Sequence, residues 1–218
     1  MQLSLPIEEL VAFTTALIES NFPDGASTTG LDPIVRRAVE RVEYCFARVC
    51  LPGYARGGKP CFDHLHGDQT AVFFYYVSNE AFRAGDAGLA AKLMLLNKTR
   101  NGIVITYDTV LPDVMLLIHT TGCMLGKAQY ANYFVATQNV TVGSDRGAFP
   151  TFGEGVVLYP GSFVGGNSVL GDDVRVAVNS VVLHETIPAA HIAAGRSPSL
   201  IVKPTHRSVR SSYFRSQP

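Results

Sequence analysis

The sequence has no tryptophan, little charge and no excess of either sign. Only 17% of its 218 residues are charged, and 18 Lys and Arg balance 18 Asp and Glu. A chain without a basic excess carries no electrostatic footprint for nucleic acid, so a small-molecule substrate is expected. Cysteine is scarce as well. Cys45, Cys50, Cys61 and Cys123 contain no CxxC pair, and all four read as reduced and buried. No apolar run approaches the roughly twenty residues of a membrane span, and the N-terminus carries Glu8 and Glu9 in place of a basic segment, so a soluble cytoplasmic protein is expected. Apolar residues are plentiful, at 47% of the chain, enough for a sizeable core.

From Phe152 to Ile187 the chain reads as six hexapeptides, FGEGVV, LYPGSF, VGGNSV, LGDDVR, VAVNSV and VLHETI. A large apolar residue opens each one: Phe152, Leu158, Val164, Leu170, Val176 and Val182. A period of six fits neither a helix nor an alternating strand. It describes a short strand followed by a turn, repeated and stacked as a β-solenoid. Each unit is too small to bury its own apolar face, so the six side chains are expected in a common interior column, with Ser162, Ser168, Ser180 and Thr186 at the bends. An antiparallel sandwich would place its turns every eight to twelve residues instead.

The first hundred residues follow a different rule. Ile34, Ala38, Val42, Cys45 and Val49 fall at helical spacing, with Arg36, Arg37, Glu40 and Arg41 on the other side. Helices are expected over residues 6–21, over 33–50 with Asp32 as N-cap, over about 69–83 with Asp68 as N-cap, and from about 86 until Asn101-Gly102 ends the last. β-Branched residues then take over. The expected class is α+β: a helical domain (1–104), a β-solenoid (105–204) and a tail (205–218).

His119-Thr120-Thr121-Gly122, the VTVG at 140–143, the hexapeptides and the closing AAGRSPSLIVKP at 193–204 resemble, in that order, the catalytic domain of serine acetyltransferases, which belong to the left-handed β-helix acyltransferases. The resemblance implies a left-handed parallel β-helix and direct acyl transfer from acetyl-CoA to a hydroxyl. A hydroxyl is a poor nucleophile near neutral pH and needs a positioned base. His119 stands at the position of the family's catalytic histidine. The family orients that histidine with an Asp on the preceding coil, but the ungapped match here is apolar, which leaves Asp108 or Asp113 to substitute. The loop from Gly143 to Gly147 breaks the six-residue phase. By resemblance Gly143 lies beside the thioester, and the loop covers the acceptor.

Other implied roles concern substrate and assembly. CoA is expected against Ala177, Asn179, Ser180, Ala194, Gly195 and Arg196. Lys203 is assigned to CoA as well: with Arg207, Arg210 and Arg215 it gives local positive charge for the CoA phosphates, the competing reading being a solvated tail. The family holds serine with an Asp before the catalytic His and an Arg-His pair before a Pro. This chain has Ile118 there, and Ala148-Phe149 before Pro150, so an acceptor other than free serine is expected. Asp63, His64, His66 and Asp68, with Arg146 and Phe149, are assigned to acceptor binding. No metal is expected, since no fixed ligand spacing is matched. The resemblance further implies a homotrimer, with pairing of trimers through the helical half open. The chain ends Phe214-Arg215-Ser216-Gln217-Pro218 in place of the family's terminal Ile, so no complex with a sulfhydrylase (a cysteine synthase complex) is expected.

Overall fold

The computed structural model describes residues 1–25 and 27–215. Four helices come first: α1 (Ile7–Asn21), α2 (Leu31–Phe46), α3 (Gly67–Arg83) and α4 (Ala87–Asn101). Helix α2 ends at Phe46 rather than residue 50, but its apolar stripe is buried as the spacing requires, with Ile34, Ala38, Val42 and Cys45 at most 5% exposed and Val49 just beyond the helix fully buried. Asp86 caps α4 by accepting from Leu89 N–H, and Gly102 closes it with a left-handed φ of 67°. Two expected caps are displaced. Gly30 precedes α2, and Asp32 lies inside the first turn, bound to Arg36. Asp68 lies within α3 rather than before it, so its carboxylate is free for another partner.

Beyond Gly102 the chain winds into a parallel solenoid of three sheets. One sheet stacks the strands Ile103–Ile105, Cys123–Leu125, Thr141–Gly143, Phe163–Gly165 and Val181–Leu183. A second begins at Met115–Leu117 and continues through Phe134–Ala136, Val157–Leu158, Arg175–Val176 and His191–Ala194, closed by the antiparallel strand Ile201–Pro204. The third holds Gln129–Tyr130, Thr151–Phe152, Val169–Leu170 and Thr186–Ile187. Phe152 pairs with Leu170, Leu158 with Val176 and Val164 with Val182, so three hexapeptides make one coil. All six opening residues are at most 2% exposed, forming the interior column.

The period slips after Val182. Leu170 pairs with Ile187, one residue short of the regular coil, because the bend after Leu183 is tightened at His184, whose φ is 58°. Thr186 therefore sits exposed in a strand, whereas Ser162, Ser168 and Ser180 are buried at bends. The cysteines also divide. Cys45 and Cys123 are buried, but Cys50 is exposed and Cys61 half-buried, all four free thiols. Burial pushes the Cys45 thiol up to about 11, which leaves it protonated and inert.

The tail keeps Lys203, Arg207 and Arg210 exposed, as expected, but it is docked and ordered rather than free. Val209 is fully buried and Phe214 is 2% exposed, since residues 205–215 fold back along the solenoid as a strap. Asp173 accepts from Val209 N–H at 2.8 Å, the Arg210 guanidinium lies 4.3 Å over the Tyr133 ring, and Phe214 bridges to Val49 at the end of the helical half. The strap covers Arg175, which is 7% exposed and donates to Tyr159 Oη and to the Arg207 carbonyl. The terminal residues 216–218, on which the sulfhydrylase expectation rests, lie outside the described residues.

Candidate active site

Three sheets leave three edges along the prism, and the chain uses each differently. The edge between the second and first sheets carries His119. From Leu117 to Met124 this first coil takes seven residues to turn, where the next coil needs five for the register-matched step from Ala136 to Thr141. The two extra residues push His119 out of the wall. Its φ is 52° and its side chain is exposed. A non-glycine residue in the left-handed region costs of order 1–3 kcal/mol unless its surroundings hold it. Here the surroundings include Asp68, whose Oδ1 accepts the His119 backbone N–H at 2.8 Å.

Below His119 the same edge is built from Gly122, Asn139, Gly161 and Asn179, all at positive φ. A Cβ on Gly122 would fall 2.1 Å from Asn139 Oδ1, and one on Gly161 2.2 Å from Asn179 Oδ1. The asparagine amides thus fill the space of missing side chains and leave a narrow, backbone-lined rail. The residues assigned to CoA continue it. Ala177 N–H bonds the Ala193 carbonyl, Gly195 N–H bonds Ser180 Oγ at 3.1 Å, and Arg196 bridges to Val181. Asn179, Gly195 and Arg196 are exposed, while Ala177 and Ala194 are half-buried and small. At about 4.8 Å per coil, the four steps from His119 down to Gly195 span about 19 Å. Lys203 is exposed on the closing strand, beside Ile192.

The edge between the first and third sheets holds the irregular loop. Between Val142 and Thr151 the second coil takes nine residues where the third takes five from Val164 to Val169. The extra residues form a miniature hairpin. Asp145 and Ala148 exchange both backbone hydrogen bonds, at 3.1 and 2.8 Å, around Arg146 (φ 49°) and Gly147 (φ 81°). Two consecutive positive φ values define a type I′ turn, whose twist suits tightly paired strands. Arg146 and Phe149 are exposed. Gly143, at the base of the hairpin, faces the Phe163 ring, 3.6 Å from where a Cβ would sit.

The candidates for orienting His119 lie elsewhere. Asp108 pairs with Lys127 at 2.7 Å on the loop edge, and chiefly this contact holds its carboxyl below the usual range. Asp113 is exposed beside Glu40, Arg41 and Tyr44, and its carbonyl accepts from Tyr76 Oη. Among the described residues neither carboxylate bonds His119 in this chain.

The acidic and histidine cluster before α3 also separates. Asp63 accepts from Leu65 N–H within its own turn, and His64 Nδ1 meets Ser4 Oγ at 2.8 Å with its ring edge-on to Phe13. His66 packs against Tyr54, its Nδ1 buried without a partner. These three are tied to the N-terminal strand and its neighbours, and Asp68 alone of the four contacts His119. No group of three or more potential metal ligands occurs among the described residues, and no described helix is long and apolar enough to cross a membrane.

One contact escaped sequence reading. His184, two coils beyond the hairpin on the loop edge, reaches Asp145 through Nε2 at 2.7 Å and the side-chain amide of Asn167 through Nδ1. Its signal was the shortened sixth unit, in which the next apolar residue, Ile187, follows Val182 after five residues.

No known family profile and no curated protein sequence matches this chain. Solved structures do. Serine acetyltransferase from Vibrio cholerae O1 biovar El Tor N16961 superposes with a TM-score of 0.67 at 20% identity, over 83% of this chain and 74% of that one. The serine acetyltransferase of Neisseria gonorrhoeae gives 0.67 at 18%, covering 94% and 80%. That of Brucella abortus strain S19, solved in complex with coenzyme A, gives 0.62 at 16%, covering 92% and 76%. The fold is that of the serine acetyltransferases. The solenoid is therefore a left-handed β-helix, in which right-handed crossovers, the general rule for parallel strands, do not apply. In the serine acetyltransferase fold of this chain the bends at Asn139, Asp173, Asn179, His184 and Ala190 all take left-handed φ values. A likeness at this level of identity establishes architecture, and chemistry has to come from the residues.

Proposed function

We propose that this protein is an acetyl-CoA-dependent O-acyltransferase acting on a small hydroxyl acceptor other than free serine, with His119 as general base. The observation that carries the reading is the bulged bend that lifts His119 out of the solenoid wall, clamped at its N–H by Asp68, at the head of a backbone-lined rail. The rail suits an extended thioester. Its small residues let a pantetheine arm approach the backbone, and exposed Asn179, Gly195 and Arg196 offer polar partners at the far end. A solved protein of this fold is in complex with coenzyme A, which favours the same co-substrate here.

His119 removes the acceptor's hydroxyl proton while the oxygen attacks the thioester carbonyl, then returns a proton to the departing sulfur. Gly143 lies beside the thioester and, with neighbouring backbone N–H groups, steadies charge that develops on the carbonyl oxygen. Asp68 fixes His119 and borders the acceptor, together with Arg146 and Phe149. Ile118 puts an apolar residue directly before the base, so an ammonium group gains no partner from that position.

His119 and Gly143 lie on different edges of one prism, and the third edge is sealed by the strap. A closed trimer brings the His119 edge of one protomer against the loop edge of the next, and the site is complete only there. We therefore assign a homotrimer, with the acceptor and acyl-CoA held between neighbours.

The test uses His119→Ala in the full chain. CoA binding by calorimetry is expected to persist while CoA release with an alcohol or amino-sugar acceptor falls roughly 10²-fold or more. A near wild-type rate would overturn the assignment of the base. Saturable, efficient acetylation of L-serine would contradict the acceptor class.

A further inference from the structure

The hairpin at residues 143–149 is braced by a contact that the proposed mechanism does not use. His184 lies two coils beyond the hairpin's own coil, in register with it, since Gly143, Gly165 and Leu183 pair in order along the first sheet. One residue further on, the chain places Ser144, Gly166 and His184. A Cβ on Gly166 would lie 2.5 Å from the imidazole, so only glycine lets the ring cross this coil. The ring spans the gap to Asp145 Oδ2 at 2.7 Å. A carboxylate can only accept, so Nε2 donates. On the other side Nδ1 lies against Asn167, accepting from its backbone N–H at 3.4 Å and meeting its side-chain amide.

Asp145 is the first residue of the I′ turn, so a fixed Asp145 fixes the direction of Arg146 at its tip. The pair is about 40% exposed, too open for a large stabilising effect on the whole fold. Its placement suits orientation instead. A four-residue turn on a nine-residue excursion has few other tethers, and the Asp145–His184 contact joins it to the rigid stack.

We propose that His184, through Asp145, is a positioning residue that holds the hairpin so that Arg146 and Gly143 present a fixed surface to the acceptor. This rests on the reading of the site as an acyltransferase centre. Gly166 is part of the device, because its missing side chain is the seat of the ring.

Two measurements on full-length His184→Ala, Asp145→Ala and His184→Gln decide it. The first, hydrogen exchange at the Ala148 amide that closes the turn, needs no substrate. Exchange is expected about fivefold to tenfold faster in both alanine variants, and near wild type in His184→Gln, whose amide can still donate to Asp145. The second is release of CoA from acetyl-CoA with glycerol, glucosamine and L-homoserine as probe acceptors, alongside CoA affinity. The alanine variants are expected to lose about fivefold to tenfold in kcat/KM for the acceptor with CoA affinity unchanged, and His184→Gln to recover it. Unchanged exchange at Ala148, or faster exchange with unchanged kcat/KM, would overturn the proposal. Absence of CoA release by the wild-type protein with every probe would instead sink the acyltransferase reading, while the exchange result still decides the brace. Asp145→Ala guards against misfolding, since it alters only the excursion.

Discussion

The His119 edge and the loop edge of the same prism solve opposite problems. On the His119 edge side chains are withdrawn: glycines, alanines and folded-back asparagines leave a rail of backbone, and one imidazole stands at its head. On the loop edge side chains are added, with Lys127 on Asp108, His184 on Asp145, and Arg146 at the tip of a hairpin. A ligand that needs length and backbone contact fits the first, and one that needs charged side chains fits the second. The difference teaches how one repeat can carry two unlike edges, and under the proposed function neither is a site alone.

The comparison breaks most readily at Asp68, which belongs to the helical half yet reaches the His119 edge. Asp68→Ala removes the acceptor of the His119 N–H and frees a strained residue. Turnover is expected to fall roughly tenfold, with hydrogen exchange at the His119 amide accelerated and exchange at Ala148 unchanged. Equal acceleration at both amides would mean that the two edges are not independent.

A smaller effect is expected at the far end of α3 from Asp68. Glu80, with its side chain 8% exposed, is bound by Arg37 and Arg41 of α2 and by Arg83. Burial alone would raise its carboxyl, but the three arginines hold it below the usual value. A carboxyl lowered on folding contributes stability above its unfolded pKa, and that contribution is lost as pH falls through the folded value. Glu80→Gln should therefore cost about 2 kcal/mol at neutral pH, with the gap to wild type narrowing on acidification below the ordinary carboxylate range. Thermal melts from neutral to strongly acidic pH read this directly, and a pH-independent gap would remove the charge from the explanation.

The solenoid was legible because its signal is repeated: six apolar residues at a period of six place one another, and each proved buried. Resemblance pointed to His119 but the bulge that carries it was not legible, since two extra residues in one bend leave no periodic trace. The orienting carboxylate was sought near His119 in the sequence, at Asp108 and Asp113. Sequence proximity misleads in a coil, because residues six to eleven positions apart fall on different edges. Asp68, fifty-one positions away, arrives through packing of α3 against the solenoid, and it meets the backbone N–H of His119 rather than the ring. The strap was hidden for a related reason. Lys203, Arg207, Arg210 and Arg215 read as a solvated charge run, while the two residues that dock it, Val209 and Phe214, are too few to form a pattern. His184 and Asp145 form a pair across thirty-nine positions, visible in sequence only as one missing residue in a repeat.

The central claim is that the site is assembled from the His119 edge of one protomer and the loop edge of its neighbour. The direct test mixes two inactive chains in equal amounts through co-expression: His119→Ala, and a chain whose residues 144–148 are replaced by a short glycine turn. In a closed ring, random mixing pairs an intact His119 edge with an intact loop edge at about a quarter of the interfaces, so about a quarter of the wild-type rate should return. No recovery from mixed rings that assemble normally would contradict a shared site.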